Sequence, residues 1–366
     1  MLRPAPGLPV TSGQRAFLIL RQRDTVAALA LLVGALGWLA LPFPFAAGGL
    51  VLFAAGATLR LDWAVLGVVA ACPFYLPVDA NPLPAKPVGS YRFSLVEVAL
   101  VACVVAWLAR MLLNPAGAVV RLRRAGWALA PVGAFVAAAT VAAVAAANRQ
   151  EALRELRVVI VEPALFAAII VTSLDRRGVE RLVVAGVALG VAVSLYTFYH
   201  YVAVGIVEAT GGVRRVLAVY HSPNQLALLL DRLAPLAVAL ALPLTGERLR
   251  AWVRRGLPSL LAAGLMAGAL FLTYSRGAWL AVAMAVLGML TLRGWRYVVP
   301  TLAAGAIGGA ALLTQVAPDR LLSEQTSQQR PLLWGAAWRM IQDHPLLGVG
   351  PDNFLSAYRD RGYLPA

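Results

Sequence analysis

The chain is 366 residues long, 60% hydrophobic and only 13% charged, a balance that excludes an ordinary soluble globular protein. Its net charge of +15 would suit a nucleic-acid partner. The basic residues are instead distributed as in a membrane protein, and anionic lipid accounts for them without nucleic acid.

Apolar runs of a length that crosses a hydrocarbon core fall at about 25–41, 43–59, 63–77, 93–113, 127–147, 158–174, 182–207, 225–243, 257–274, 278–292 and 298–314. They predict an all-α polytopic membrane protein of about eleven transmembrane helices. None alternates apolar and polar residues as barrel strands do. Helices meet the demand that every backbone N–H and C=O be paired within lipid. The first run follows a basic tail like a signal peptide, but the next begins just past Pro42 and Pro44, so it is read as a retained span.

With the N-terminus cytoplasmic, most of the 32 basic residues lie inside. These are Arg3, Arg15, Arg21, Arg23, Arg60, Arg110, Arg121, Arg123, Arg124, Arg176, Arg177, Arg181, Arg248, Arg250, Arg254, Arg255, Arg293 and Arg296. The outer connections hold Lys86, Arg92, Arg149, Arg154, Arg157, Arg214, Arg215 and Arg276. Cys72 and Cys103 fall within predicted helices as small apolar fillers, and they define neither a disulfide framework nor a metal site.

The outer loop 78–92 is rich in proline, and Asn148–Arg157 reads as a short charged helix. Glu97, Glu162 and the Asp231-Arg232 pair lie in predicted spans, where charge is costly unless paired or hydrated. They read as interhelical polar clasps in preference to a proton or ion path.

After residue 314 the chain is polar enough to leave the membrane, on its outer side. Within 330–342, Leu333, Ala337, Met340 and Ile341 form an apolar stripe beside Trp334 and Trp338. This pattern predicts an amphipathic helix at the outer interface. His344-Pro345 ends it, and Gly348-Val349-Gly350-Pro351 makes a tight bend. The outer segment reaches Ala366 without a later span, so a truncated chain is expected.

Three stretches occur in order: Arg214-Arg215 followed by YHSPNQLA at 220–227, YSRGAWLA at 274–281, and RPLLW…DHPLLGVGPDNF at 330–354. Together they resemble the O-antigen ligase and polymerase family of bacterial envelope glycosyltransferases. The likeness covers about 214–354 and divides the chain into N-terminal membrane helices, 1–213, and a ligase-like region, 214–366. It implies a GT-C-like helical fold in the bacterial inner membrane with its active face extracytoplasmic. It also implies a glycan donor linked to undecaprenyl diphosphate. The glycan passes to a hydroxyl of lipid A–core, another glycan or another envelope acceptor, by inverting transfer without a metal or other cofactor. Ligases and polymerases share these motifs.

The residue chemistry points the same way. Negative charge builds on a departing lipid diphosphate, and guanidinium groups bind it with paired N–H donors that lysine lacks. Arg276, in a turn so short that it must sit at the membrane boundary, is the first candidate. Its plain alternative is an interfacial arginine snorkelling to water. Arg214 and Arg215 are both candidates, and the sequence does not choose between them. Arg330 would bind phosphate or a lipid headgroup.

The family's catalytic histidine is followed by Asn, Ser or Gln, nine residues and a glycine. His221-Ser222 begins that pattern but puts Arg232 at the glycine position. His200 and His344 do not fit it either. No histidine is therefore carried over as catalytic, and His344 stands as a fallback base. A transporter or flippase for the same anionic lipid is the alternative reading, with the arginines for binding and the intramembrane carboxylates for coupling.

Overall fold

The computed structural model describes residues 12–42, 45–74, 86–88, 91–205, 207–210, 213–243, 248–294, 299, 302–303, 324–360 and 362–363, with side chains from Gln22 onward except in 86–92, 207–213 and 324–330. The helices are α1 Ser12–Ala40, α2 Phe45–Leu59, α3 Leu61–Ala71, α4 Leu95–Leu113, α5 Pro115–Ala145, α6 Arg149–Glu155 and α7 Glu162–Ser173. They continue with α8 Arg176–Tyr199, α9 Pro223–Ala241, α10 Leu249–Phe271, α11 Arg276–Arg293, α12 Glu324–Asp343 and α13 Phe354–Asp360. Short π-helical turns, Leu156–Val161 and His200–Val204, precede α7 and extend α8. Two antiparallel hairpins pair β1 Lys86–Val88 with β2 Tyr91–Phe93, and β3 Val207–Thr210 with β4 Val213–Val216.

Each expected apolar run up to residue 292 is helical over most of its described residues, with Val207 instead in β3, so the all-α membrane architecture stands. The last expected span, 298–314, lies outside the described residues but for 299 and 302–303. Among the described residues, seven helices are long and apolar enough to cross a membrane: Gln22–Ala40, Leu95–Leu113, Pro115–Ala145, Arg149–Ser173, Arg176–Val204, Pro223–Ala241 and Arg276–Arg293. Phe45–Leu59 and Leu61–Phe74 are apolar but shorter. Trp127, Phe135, Val202 and Leu292 stand outward on these helices, as lipid-facing side chains do.

One expectation is corrected. The connection around Arg121, Arg123 and Arg124 is helix, the first part of α5. Asn114 accepts from the Gly117 N–H at 2.9 Å and Pro115 occupies the first helical position, so the helix starts there. At 1.5 Å per residue α5 is about 46 Å long, well beyond a hydrocarbon core of about 30 Å. Its arginine-bearing turns can therefore extend outside the lipid without breaking the helix.

The chain divides into two compact units: residues 1–77, 83–131 and 164–182, and residues 78–82, 132–163 and 183–366. In the first, α1 and α2 pack through glycines. A Cβ on Gly49 would come within 2.7 Å of the Gly34 oxygen and the Trp38 nitrogen, both backbone atoms that cannot swing aside. Leu61, Val65 and Val68 of α3, Leu100, Cys103 and Ala106 of α4, and Ile169 of α7 share a buried core. Cys103 is an apolar filler there, as the sequence leads one to expect. Trp107 Nε1 donates to Thr172 Oγ1 at 2.9 Å, a polar clasp between α4 and α7.

At one end of this unit Arg60 pairs with Asp24 and Asp62, and Arg181 reaches Asp62 at 3.2 Å. Hydrogen bonding to Asp62, against the cost of burial, holds the Arg60 guanidinium above its ordinary pKa. Arg23 and Arg110 donate to the Leu59 carbonyl, at the C-terminus of α2 where the helix dipole favours cations. Arginines from separate connections thus meet at one end, as the alternate placement of charge requires.

Substituting Gly49 with leucine forces α1 and α2 apart. Overpacking costs about 1–3 kcal/mol where neighbours can yield, and more against backbone. The variant is expected to lose most of its folded yield in detergent, measured by fluorescence-detected size exclusion. A wild-type profile would refute this glycine contact.

Candidate functional site

In the second unit Arg215 joins three segments. Its Nε donates to the Thr273 carbonyl at 2.8 Å and its Nη2 to Asn224 Oδ1 at 2.9 Å. The neighbouring Val216 N–H donates to the Leu272 carbonyl at 3.3 Å. The last strand of the β3–β4 hairpin is thereby fastened to the start of α9 and to the α10–α11 turn.

Local sequence explains each segment. Ser222 is extended, its hydroxyl accepts from the Asn224 N–H at 3.1 Å, and Pro223 opens α9. In the turn, Thr273 Oγ1 donates to the Leu270 carbonyl at 2.6 Å and accepts from the Ser275 N–H at 3.2 Å. Trp279 Nε1 donates to the same Leu270 carbonyl at 3.2 Å. The Trp279 ring stacks on Phe271 with centroids 5.2 Å apart and lies 6.2 Å from Tyr274. Thr273 is fully buried. The turn is rigid by construction.

Arg214 and Arg215 occupy adjacent strand positions, paired with Ala209 and Glu208 of β3. Adjacent strand residues point to opposite faces. Arg215 is half-buried in the contacts above, whereas Arg214 is exposed, its guanidinium carbon 5.7 Å from the Tyr201 ring centroid. Arg276 is the first residue of α11 and is also exposed. Two helix N-termini, of α9 and α11, therefore begin beside guanidinium groups. Helix starts carry partial positive charge and suit anions.

The far end of α9 carries different arginines. Arg255 donates to the Leu240 and Leu242 carbonyls, Arg293 to that of Pro243, and Trp252 Nε1 to that of Ala241 at 2.7 Å. The expected inner and outer arginines thus lie at opposite ends of a 19-residue helix, about 28 Å long.

Among the described residues, three that are not glycine hold left-handed backbone: Ala218 (φ 50°), Tyr274 (φ 50°) and Asp352 (φ 53°). Tyr274 and Asp352 lie within motif stretches, and Ala218 lies between Arg215 and Tyr220. Such strain costs about 1–3 kcal/mol per residue and gathers at functional sites.

The remaining expected positions separate. Arg330 lies in the backbone of α12, and its side chain is outside the described residues. His344 follows α12 directly and is exposed. His221 is exposed one residue before the α9 cap, beside the Arg215 contacts. His200 is buried, its ring centroid 4.2 Å from that of Tyr196 with the planes tilted by 53°, in keeping with a structural role. The apolar stripe of α12 divides: Met340 is buried with Ala336, Ala357 and Tyr363, while Leu333 and Ile341 join Trp334 and Trp338 on the exposed side.

The intramembrane carboxylates have local partners or partial burial. Glu97 closes a capping box, accepting from the Ser94 N–H at 2.8 Å while Ser94 Oγ accepts from the Glu97 N–H at 3.3 Å. Glu162 pairs with Arg157 at 3.6 Å, within one continuous helical stretch. Asp231 is half-buried and Arg232 exposed.

Sequence reading missed Asn224, Thr273 and Tyr201 as partners of the arginines. The Ser-Pro-Asn helix start signals Asn224. Thr273 contributes only a carbonyl, which no side-chain pattern reveals.

Apolar helices long enough to cross a membrane, with Arg214, Arg215 and Arg276 beside the starts of α9 and α11, define the class as a helical membrane protein. Residues 261–365 match the family model Wzy_C, described as O-antigen ligase, and this bears out the family resemblance of the motifs. The match takes in Arg276, Arg330 and His344, and it begins after Arg214 and Arg215. Comparison with curated proteins and with solved structures gave no match.

Proposed function

We propose that the protein is an O-antigen ligase-like glycosyltransferase of the bacterial inner membrane. Its donor is a glycan on undecaprenyl diphosphate, and its acceptor is a hydroxyl of lipid A–core, a glycan or another envelope molecule. The acceptor oxygen bonds to the anomeric carbon with inversion as the undecaprenyl diphosphate departs, and the hydroxyl proton passes to a base. No metal takes part. The N-terminus is cytoplasmic and the arginine cluster extracytoplasmic, within a GT-C-like arrangement of about eleven spans.

The observation that carries this reading is the joining of β4, the α9 start and the α10–α11 turn by Arg215. Arg276 and Arg214 are thereby held on fixed backbone at one end of the helices. Preorganised charge at a leaving group is often the largest catalytic contribution. Arg276 and Arg214 bind the diphosphate, Arg215 positions them, and Arg330 serves the same anion from α12. His344 is the fallback base.

The flippase alternative needs intramembrane carboxylates for coupling. Glu97 is engaged in a capping box and Glu162 with Arg157, which weighs against it. Purified protein in nanodiscs, given a lipid-diphosphate glycan and an acceptor, is expected to form a glycosidic product in a single compartment. Bilayer translocation of the donor without product would favour the flippase and defeat the transferase.

A further inference from the structure

The outer segment carries its own small core. Ala336 and Met340 of α12 pack with Ala357 of α13 and Tyr363, with Val349, Phe354 and Tyr358 against them, so every member lies within 336–363. Arg339 Nη2 donates to the Tyr363 carbonyl at 2.7 Å, and Tyr363 Oη to Asp343 Oδ2 at 2.6 Å. This is a self-contained helical module. Its attachment to the membrane helices is a separate matter.

That attachment runs through Asn353. The residue is 2% exposed, and its amide makes three hydrogen bonds, all to backbone. Oδ1 accepts from the Asn148 N–H at 2.9 Å; Nδ2 donates to the Asn148 carbonyl at 3.1 Å and to the Pro351 carbonyl at 2.8 Å. Two groups 205 residues apart in sequence are thus paired as neighbouring strands pair. Beside them Gly350, at φ 92°, presses on Ala146, and a Cβ there would stand 3.2 Å from the Ala142 carbonyl. Asp352 between them holds left-handed backbone at φ 53°. A strained bend, a glycine that admits no side chain and a buried amide with three backbone hydrogen bonds all meet at the α5–α6 corner. Leu346, on the bend, is 93% exposed and adds nothing to the anchorage.

We propose that Asn353 is the positioning residue that docks the outer module on the α5–α6 corner and sets α12 and His344 in place for transfer. The docking stands on geometry alone, and the positioning role rests on the transferase reading. Asn148 lies outside the stretch that matches the ligase family, so this joint connects that stretch to the rest of the chain.

The test uses the full chain in nanodiscs, with hydrogen exchange and transfer read on the same samples. Asn353→Ala is expected to speed exchange of the Asn148 amide and of amides in 349–357 about tenfold or more, as loss of buried hydrogen bonds implies. Transfer should fall through kcat, with donor KM little changed. Asn353→Asp keeps the acceptor for the Asn148 N–H and should recover part of both. Gly350→Ala attacks the same joint without touching the amide and should reproduce the exchange. Asn148→Ser keeps both the backbone pair and a side-chain oxygen to cap α6 at the Glu151 N–H, and should behave like wild type at the joint. Unchanged exchange in Asn353→Ala would overturn the docking. Faster exchange with wild-type transfer would overturn the positioning role. A wild-type chain without transfer would remove the positioning role along with the transferase reading, and exchange would still decide the docking.

Discussion

Replacing Arg276 with alanine is expected to lower transfer by about 10²–10³-fold, the loss typical of one preorganised group that stabilises charge in the transition state. The reasoning starts from its place in the chain. Arg276 opens α11, where its charge adds to the partial positive charge of the helix start. It follows a turn fixed by Thr273, by the Leu270 carbonyl and by the stacked Trp279, so the guanidinium needs little reorganisation. Arg276→Lys separates charge from geometry. It keeps the cation but loses the planar fork, and about a tenfold loss is expected. The measurement is initial rate against donor concentration in nanodiscs, with thermal melting as the control for folding. Wild-type transfer by the lysine variant would end the bidentate reading. Wild-type transfer by the alanine variant would end the role of Arg276 altogether.

How much of this was legible beforehand depends on the range of each signal. The spans came through because twenty apolar residues in lipid admit little but helix. Arginines expected on a common face do meet at one end of the helices within each unit, Arg23 with Arg110 at the Leu59 carbonyl and Arg255 with Arg293 at the end of α9. The Ser94-to-Glu97 spacing is itself a capping-box signature, but the apolar run around it drew Glu97 into the span. Arg121, Arg123 and Arg124 read as a connection because charge ends a hydrophobic run; arginine is nonetheless a good helix former, and α5 simply continues. The β3–β4 hairpin was hidden in a short polar stretch, and with it the opposite facing of Arg214 and Arg215. The Asn353–Asn148 pair spans 205 residues, and no local pattern carries such information.

The hairpin also separates the two arginines by experiment, with the second large effect. Arg215 makes two charge-assisted hydrogen bonds, to the Thr273 carbonyl and to Asn224, each worth about 1.5–3 kcal/mol in a typical protein. Arg215→Ala removes both and loosens the α9 start and the α10–α11 turn together. The expected result is a lower melting temperature and a fall in kcat of about 100-fold or more, since misplacing a catalytic group by about 1 Å can cost that much. Arg215→Lys should recover little, because a single ammonium cannot reproduce contacts made from two edges of a guanidinium plane. Arg214 is exposed and packs near the Tyr201 ring, so Arg214→Ala leaves the turn intact. It should raise donor KM by about tenfold at an unchanged melting temperature, the mark of lost binding without lost positioning. If instead Arg214→Ala lowered the melting temperature while Arg215→Ala changed only donor KM, the strand would be presenting the other face to the donor, and the roles of the two residues would be exchanged.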